Sequence, residues 1–181
     1  MTSAPIDVDR PLRGSAYLFG DDVPCDDGIV PSRVVSNLYD ETTTDFGALA
    51  MTPIDPTFPG RFVRGGFLIA GRNFPTGVAH EQAIWALLQV GVAAVIAETM
   101  AANFFRAALS EGLPAFTLPG ITALAHEGDT LEVVLRQATV RNITTGRELK
   151  GARMPFRIAA VLQAGGTRAY VTGKWSTSTS T

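Results

Sequence analysis

Three short apolar runs, separated by two segments with helical spacing, constrain the fold more than any other feature of the sequence. The runs are "FLIA" at 67–70, "VAAVIAE" at 92–98 and "PAFTL" at 114–118. Apolar runs of this length are typical of strands buried on both faces, and strands that alternate with helices form parallel sheets through crossover connections. The sequence therefore predicts an α/β fold with a parallel-sheet core and two crossovers.

The two connecting segments carry signals for the ends of the crossover helices. The first helix is predicted over residues 79–89, where apolar residues recur at helical spacing, and it is expected to stop at Gly91. For the second helix, Thr99 is the predicted N-cap and Gly112 the predicted stop. These two helices are the predicted crossover connections.

The remaining segments predict a small additional β layer and a closing helix. Residues 15–19 alternate as a strand, residues 128–151 alternate as hairpin strands, and residues 155–166 form a short helix that ends in a double glycine. The first strand leads into an acidic loop, "GDDVPCDDGIVPSR" at 20–33. Residues 40–60 contain several prolines and are interpreted as a mobile loop or lid with one turn of helix.

Length and terminal composition predict one domain. The 181 residues are enough for a single core, so we expect one domain over 12–172 between flexible ends at 1–11 and 173–181. The start of the chain lacks the apolar run of a signal peptide, and no stretch approaches the roughly 20 apolar residues of a membrane span. A cytoplasmic protein that does not contact a membrane is the expectation.

Charge and cysteine content limit the ligands. With 15 basic and 17 acidic residues, and the basic ones scattered, the chain has no nucleic-acid profile, whereas a small anionic metabolite is compatible. Cys25 is the single cysteine, so the chain cannot form an internal disulfide. One thiol cannot hold an iron–sulfur cluster or a structural zinc, which need about four ligands. We therefore expect no metal bound by this chain alone.

Several blocks in order resemble the small subunit of isopropylmalate dehydratase, the swivel domain of the aconitase superfamily. The acidic loop resembles a family loop reading roughly G-D-D/N-I-x-T-D-x-I-I-P-x-R, with Gly28 as an extra residue. Further blocks are "GGFLIAGRNF" at 65–74, "AVIAETMAANFFRAALSEGLPAF" at 94–116 and "RNITTGRELKGARMPFRIAAVLQAGG" at 141–166. The resemblance implies an aconitase-type swivelling domain with layered β/β/α architecture.

The resemblance also implies a partner and a cofactor. Members of the family pair with an aconitase-like large subunit that carries a 4Fe-4S cluster, and the swivel domain closes over that cluster. Together the subunits dehydrate and rehydrate hydroxy di- or tricarboxylic acids, moving a hydroxyl between adjacent carbons. A chain with one cysteine fits this arrangement because the cluster belongs to the partner.

The catalytic motif departs from the family pattern. The family reads approximately G-x-N-F-G-x-G-S-S-R-E-H-A, and an ungapped alignment places the two serines on Val78 and Ala79 and the substrate-binding arginine on His80. The following glutamate is retained as Glu81. Because valine has no ionisable proton, the serine base that the resemblance implies is missing. These departures argue against conventional isopropylmalate isomerisation.

Three residues are candidates for the missing chemistry. His80 is a replacement base working with Glu81, or else a solvated histidine that the neighbouring glutamate caps. Asp26 matches the loop aspartate that lies near the active site in the family. Thr76 presents a hydroxyl two residues before the lost serine, or else serves as a loop hydrogen bonder. Cys25 stands where the family often has threonine and is interpreted as a small, partly buried thiol, or else as a redox or nucleophilic residue.

Substrate contacts are predicted from two segments. The open helix N-terminus at 77–81 offers backbone N–H groups to an anion even without serines, and Thr76, Gly77, Val78 and Ala79 are the predicted substrate-binding residues there. In the family, substrate choice is associated with the residues after P-x-R, here Val34 and Val35, which are smaller than the Tyr-Leu often found there. Arg33 either reaches a substrate carboxylate or pairs with a loop aspartate.

Two functions of different classes follow. The first is the small subunit of a heteromeric hydro-lyase or isomerase, with the base supplied by His80, Asp26 or the large subunit. The second is a non-catalytic lid, or assembly and anion-binding module, that stabilises a large subunit. A free-standing swivel protein is the weakest alternative, because the acidic loop and the lid would have no partner to close upon.

Overall fold

One mixed sheet of seven strands runs through the computed structural model, which describes residues 5–35 and 42–177. The strands are β1 (Leu12–Phe19), β2 (Phe67–Ala70), β3 (Ala94–Ala97), β4 (Ala115–Thr117), β5 (Thr130–Val134), β6 (Thr139–Asn142) and β7 (Glu148–Lys150). Their order is β4-β3-β2-β1-β5-β6-β7. Strands β1 to β4 pair in parallel, whereas β1, β5, β6 and β7 pair antiparallel. The predicted parallel core with an added β layer is confirmed.

Strand β1 joins the two halves of the sheet. Residues 12–15 pair with β5, and residues 16–19 pair with β2. In the first half, a Cβ on Gly14 would lie 2.2 Å from the carbonyl oxygen of Gly65, so only glycine allows this close approach of the chain that leads into β2. The strand predicted over 15–19 is present as β1, but the observed strand begins three residues earlier, at Leu12.

The described residues form six α-helices around the sheet. They are α1 (Phe58–Arg61), α2 (Glu81–Val90), α3 (Ala102–Glu111), α4 (Ile121–Leu124), α5 (Phe156–Ala164) and α6 (Thr167–Thr177). Side chains of α2 and α3 pack in one apolar cluster, and those of α4, α5, β5 and β6 pack in a second. Strand β2 contributes Leu68 and Ala70 to the first cluster and Phe67 and Ile69 to the second, all fully buried. This packing on both faces explains the continuous apolar run.

The starts of α2 and α3 differ from the predicted starts. Helix α2 begins at Glu81 rather than at Ala79, with His80 as its N-cap residue in an extended conformation. Helix α3 follows Ala101, and Thr99 does not cap it, because the Thr99 Oγ1 accepts the backbone N–H of Asn73 at 2.7 Å instead. The predicted stops are confirmed: both helices end at a glycine in the left-handed conformation.

Residues 42–61 are anchored to the core at several points, although many residues between these points are exposed. Phe46, Met51 and Phe58 are fully buried in the first cluster. The predicted turn of helix is present as α1. Burial of these large side chains does not favour the interpretation of this segment as a mobile lid; its first residues, 40 and 41, lie outside the described residues.

Ordered structure continues beyond the predicted domain limits at both ends of the chain. Before residue 12, Val8 is fully buried and its carbonyl accepts the backbone N–H of Arg136 at 2.9 Å. After the predicted closing helix, α6 adds a helix that the sequence did not suggest. The limits 12–172 stay a prediction. In the part of the chain that the structure covers, no helix is long and apolar enough to cross a membrane.

Candidate active site

Loops from adjacent parallel strands meet at the edge of the sheet where those strands end. The loop after β1 and the loop after β2 are joined because the Cys25 N–H donates to the Thr76 carbonyl at 2.9 Å, and the Thr76 N–H donates to the Val23 carbonyl at 2.8 Å. The loop after β2 is joined to the chain after β3 by a backbone pairing of Phe74 with Met100. The carboxyl edge of parallel strands is the usual ligand-binding edge of α/β folds.

His80 and Asp26 face each other across this junction. The His80 Nε2 lies 3.3 Å from the Asp26 Oδ2, and the two side chains are 30% and 40% exposed. His80 makes no side-chain capping hydrogen bond to α2, so its imidazole is available for this contact. The two residues are 54 positions apart in the sequence, and the pairing of the two loops brings them together. They form an accessible imidazole–carboxylate pair.

One oxygen of Asp26 has an unusual environment. The Asp26 Oδ1 is buried and has no hydrogen-bond partner among the described residues. A tight turn holds Asp26 in place, because Asp27 has a φ of 58° and its N–H donates to the Val30 carbonyl at 2.8 Å. A Cβ on Gly28 would lie 2.0 Å from the Pro24 carbonyl oxygen, which explains glycine at the inserted position. An unsatisfied buried acceptor at an accessible pair is able to take a proton or a donor from a ligand.

The Cys25 thiol lies next to the pair but is unreactive at neutral pH. It is fully buried, whereas the sequence suggested partial burial. Burial raises the pKa of Cys25 to about 11, although the backbone N–H of His80 bonds to the sulfur and acts in the opposite direction. At neutral pH the sulfur is therefore protonated and is not a nucleophile.

The segment that replaces the serine motif forms an exposed tip. Gly77 has a φ of 82°, and Val78 is 65% exposed with its apolar side chain toward solvent. Thr76 and Ala79 are half-buried beside it. No side chain caps the N-terminus of α2, so the tip precedes an open helix end.

Glu81 is not part of the His80 pair. It lies exposed on the first turn of α2, and the carboxylate that faces His80 is that of Asp26. The alternative of a histidine capped by its neighbouring glutamate therefore does not describe the geometry. A catalytic role of Glu81 stays a prediction.

The three residues after the acidic loop have different exposures. Arg33 is exposed on a short helical turn, Ser32–Val34, and makes no ion pair within the described residues. Val34 is buried in the first cluster, and Val35 packs against that cluster while remaining half-buried. Arg33 is thus free to meet an anion, whereas the Val34 side chain points into the core.

Residues retained from the family motif support the loop after β2. Asn73 has a φ of 58°, its side-chain amide donates to Asp22 Oδ1 at 2.8 Å, and its backbone N–H donates to Thr99. Phe74 is fully buried and packs edge-on against Phe104 of α3, with ring centroids 5.5 Å apart. These contacts hold the loop in one conformation before His80 is reached.

A polar cluster beside this loop was missed from the sequence. The Arg72 Nη2 lies 2.9 Å from Asp21 Oδ2, and the Arg72 backbone N–H and guanidinium hold the pKa of Asp21 below its ordinary value. Burial alone would raise the pKa of Glu98, but hydrogen bonds from Thr122 and Gly120 outweigh it and lower that pKa. One signal was available: Asp21, Arg72 and Glu98 lie just after successive strands.

The described residues offer no metal centre. Among residues 5–35 and 42–177, no group of three or more His, Cys, Asp or Glu side chains is placed to hold a metal ion. A cavity of about 350 Å³ beside Arg72 is lined by Asp21, Glu98 and Thr122 as well, but its two carboxylates are already engaged.

The fold and site define a class of protein, the swivel-type α/β domain with its loops gathered at the carboxyl edge of a parallel half-sheet. No family model matches the chain. It is 41% identical over 160 residues to a 3-isopropylmalate dehydratase small subunit from Pyrobaculum calidifontis, covering 88% of this chain and 96% of the relative. It is 36% identical to an isopropylmalate/citramalate isomerase small subunit from Methanocaldococcus jannaschii, covering 92% and 97%.

A solved structure agrees with these relatives. The crystal structure of a 3-isopropylmalate dehydratase from Methanocaldococcus jannaschii superposes with a TM-score of 0.82 at 29% identity, covering 93% of this chain and 98% of that one. The chain therefore belongs to the family of 3-isopropylmalate dehydratase small subunits, and the resemblance inferred from the sequence blocks is confirmed.

Proposed function

We propose that this chain is the small subunit of a heteromeric hydro-lyase that dehydrates and rehydrates a hydroxy di- or tricarboxylic acid. The partner is an aconitase-like large subunit, and a 4Fe-4S cluster on that partner supplies Lewis-acid binding of the substrate hydroxyl and carboxylate. Family membership supports the assignment. The cytoplasm is the proposed location.

The observation that carries the proposal is the contact between His80 Nε2 and Asp26 Oδ2 at 3.3 Å. In the proposed role, the Nε2–H donates to the carboxylate, and the Nδ1 lone pair is left to take a proton from substrate carbon. Asp26 fixes the tautomer and stabilises the imidazolium that forms, as carboxylates do beside catalytic histidines. The pair thus replaces the serine that is absent at Val78.

Substrate binding is proposed for the surfaces around the pair. Arg33 is the exposed guanidinium for a carboxylate, a type of contact worth about 1.5–3 kcal/mol. The tip at 76–79 precedes the uncapped end of α2 and contributes backbone N–H groups. Val35 provides apolar surface for a substrate tail. Val34 acts from the core by setting the position of this segment.

The test is co-expression with an aconitase-like large subunit, anaerobic cluster reconstitution, and an ultraviolet assay of alkene formation. The substrate panel includes isopropylmalate, citramalate, citrate and substituted malates. His80→Ala is expected to lower turnover about 10²–10⁴-fold, the range of general acid–base catalysis. His126→Ala is a matched control, because His126 is the chain's other histidine and lies 3.5 Å from an aspartate as well. Equal activity of both variants would remove the His80 assignment.

A second function is favoured by one observation, the exposed apolar Val78 at the tip where the family serine is absent. In this alternative the chain is a non-catalytic lid that stabilises the large subunit, and the open end of α2 binds an anion. A tight complex with intact cluster and no turnover across the panel would favour the lid. Turnover that requires this chain would exclude it.

A further inference from the structure

Two neighbouring cavities lie on the side of the sheet at β4 and are lined by residues other than the candidate catalytic ones. One has a volume of about 310 Å³ and the other about 200 Å³. They share Phe105, Phe116 and Ala152 as lining residues, so they form a continuous concave surface. No residue assigned a catalytic or substrate-binding role lines either cavity, although Met100, which lines the larger one, pairs with Phe74 at the loop junction. We refer to the two cavities together as the β4 cleft.

The lining of the β4 cleft is mostly apolar, with Thr117 as a polar residue and one cationic group. Leu135, Met154 and Ile158 are typical of the inner wall, and Arg153 is the one charged side chain among the described lining residues. Small-molecule sites combine mostly apolar walls with a few polar groups that fix orientation. This composition selects a ligand that has an apolar body and an anionic end.

The guanidinium of Arg153 is available to such a ligand. Arg153 is exposed and makes no ion pair within the described residues. Hydrogen bonds from Arg136 are the main cause that lowers the pKa of Asp9, and the charge of Arg153 contributes to a smaller extent. Asp9 accepts those hydrogen bonds from Nε and Nη2 of Arg136 at 2.9 and 3.1 Å. Asp9 is therefore committed to another arginine.

The dimensions favour a small molecule over a peptide. A cavity of about 150 Å³ is enough to hold benzene, so the smaller part of the cleft accepts a hydrocarbon group of at least that size. Strand β4 is an edge strand of three residues and pairs only with β3 in the described sheet. So short an edge offers few backbone groups to an added strand of a peptide.

We propose that the β4 cleft binds a small aliphatic monocarboxylate, with the carboxylate on Arg153 and the hydrocarbon chain against Phe105 and Phe116. The site is independent of the proposed hydro-lyase function, because it uses different residues and needs no large subunit. A saturated chain gains free energy from the apolar wall, and the carboxylate gains a charge-assisted contact at the rim.

Calorimetric titration of the full-length chain with octanoate tests the proposal, with octylamine as the matched cation of equal chain length. Octanoate is expected to bind saturably and octylamine at least about 10-fold more weakly, as follows from a charge-assisted contact. Arg153→Gln should weaken octanoate by about 10-fold. Ala152→Leu should abolish binding by filling the cleft, and both positions are exposed, so folding is preserved. Arg157→Gln, which alters an exposed arginine that does not line the cleft, should change nothing.

Three results would overturn the proposal. The first is the absence of saturable octanoate binding up to about 10 mM, a limit that corresponds to a very weak complex. The second is equal affinity for octanoate and octylamine. The third is unchanged octanoate affinity in both Ala152→Leu and Arg153→Gln, with each variant shown to be folded by circular dichroism.

Discussion

Two histidine–aspartate pairs in this chain show how environment separates a candidate site from a structural contact. Asp129 is held by the side-chain amide of Asn142 at 2.7 Å and by the backbone N–H of His126 at 2.9 Å. Asp26, in contrast, keeps a buried oxygen without a partner beside His80. Both of these bonds end on Oδ2 of Asp129, which therefore serves a structural turn, whereas the buried Oδ1 of Asp26 retains capacity for a proton or a ligand.

Replacing Asp26 with asparagine should separate activity from stability. Asp26→Asn keeps the size of the side chain but removes the charge that would stabilise the imidazolium, so turnover should fall about 10²-fold. The free energy of unfolding should change by no more than about 0.5 kcal/mol, because Asp26 Oδ1 loses no hydrogen bond in the described structure. Steady-state assay of the assembled enzyme and urea unfolding of the chain measure the two effects. A large loss of stability would indicate a structural role for Asp26.

Cys25 should make stability depend on pH in the alkaline range. Burial raises the pKa of Cys25 from 9.0 to about 11, so the folded state holds the proton more tightly than the unfolded state. The resulting stabilisation is complete below pH 9 and is lost as the pH rises through the folded value near 11. The size is about 2–3 kcal/mol by proton linkage.

Urea unfolding between pH 8 and about 11, with Cys25→Ala as reference, isolates this contribution. The difference between the two proteins should narrow as the pH rises, because the other titrating groups are shared. A constant difference over the whole range would show that the thiol pKa is not raised by folding.

At the scale of elements, the end of α2 gives a test with a built-in control. Gly91 has a φ of 99°, and an added Cβ would lie 2.9 Å from the Cγ of Arg64. Gly91→Ala should therefore lower the free energy of unfolding by about 1–2 kcal/mol. Gly60→Ala, whose Cβ would meet nothing within 4 Å, should be neutral or slightly stabilising. Chemical unfolding of both variants checks the difference, and equal losses would contradict the left-handed cap.

Elements were predicted well where one local pattern determined them. Strand β2 was predicted over its observed residues because burial on both faces requires an unbroken apolar run, and Gly91 was predicted because a left-handed cap favours glycine. The N-cap Thr99 was wrong, because its hydroxyl has a long-range partner, Asn73. Helix α6 was missed since its sequence is polar and lacks a clear apolar face.

The candidate site was only partly predictable, because it depends on contacts between residues that are far apart in the sequence. His80 and Asp26 were each singled out from the family motif, but their contact depends on backbone hydrogen bonds between two loops, including the one from Cys25 to Thr76. No local pattern in either loop specifies that pairing. Thus the sequence indicated which residues to consider, and the tertiary structure indicated that Asp26, rather than Glu81, faces the imidazole.

At the scale of the whole molecule, the two apolar clusters share one sheet. Leu68 and Ile69 are consecutive residues of β2, yet Leu68 packs in the cluster with α2 and α3, and Ile69 packs in the cluster with α5 and β5. The sheet lies between the clusters, and α3 also contributes to both, because Phe104 packs in the first cluster and Leu109 against the second. Loss of either cluster exposes one apolar face of a strand whose other face packs in the remaining cluster, so the two layers are expected to unfold together.

Paired truncations on β2 test this coupling. Leu68→Ala and Ile69→Ala should each lower the free energy of unfolding by about 2–5 kcal/mol, the range for a buried aliphatic side chain, out of about 5–15 kcal/mol for a typical domain. Each variant should still unfold in one transition. Amide hydrogen exchange should then show the same loss of protection in β3 and in β6. If Leu68→Ala lowered protection only in β3, and Ile69→Ala only in β6, the layers would be independent units. Equal loss in both strands is expected because β1 pairs with β2 along one half of its length and with β5 along the other.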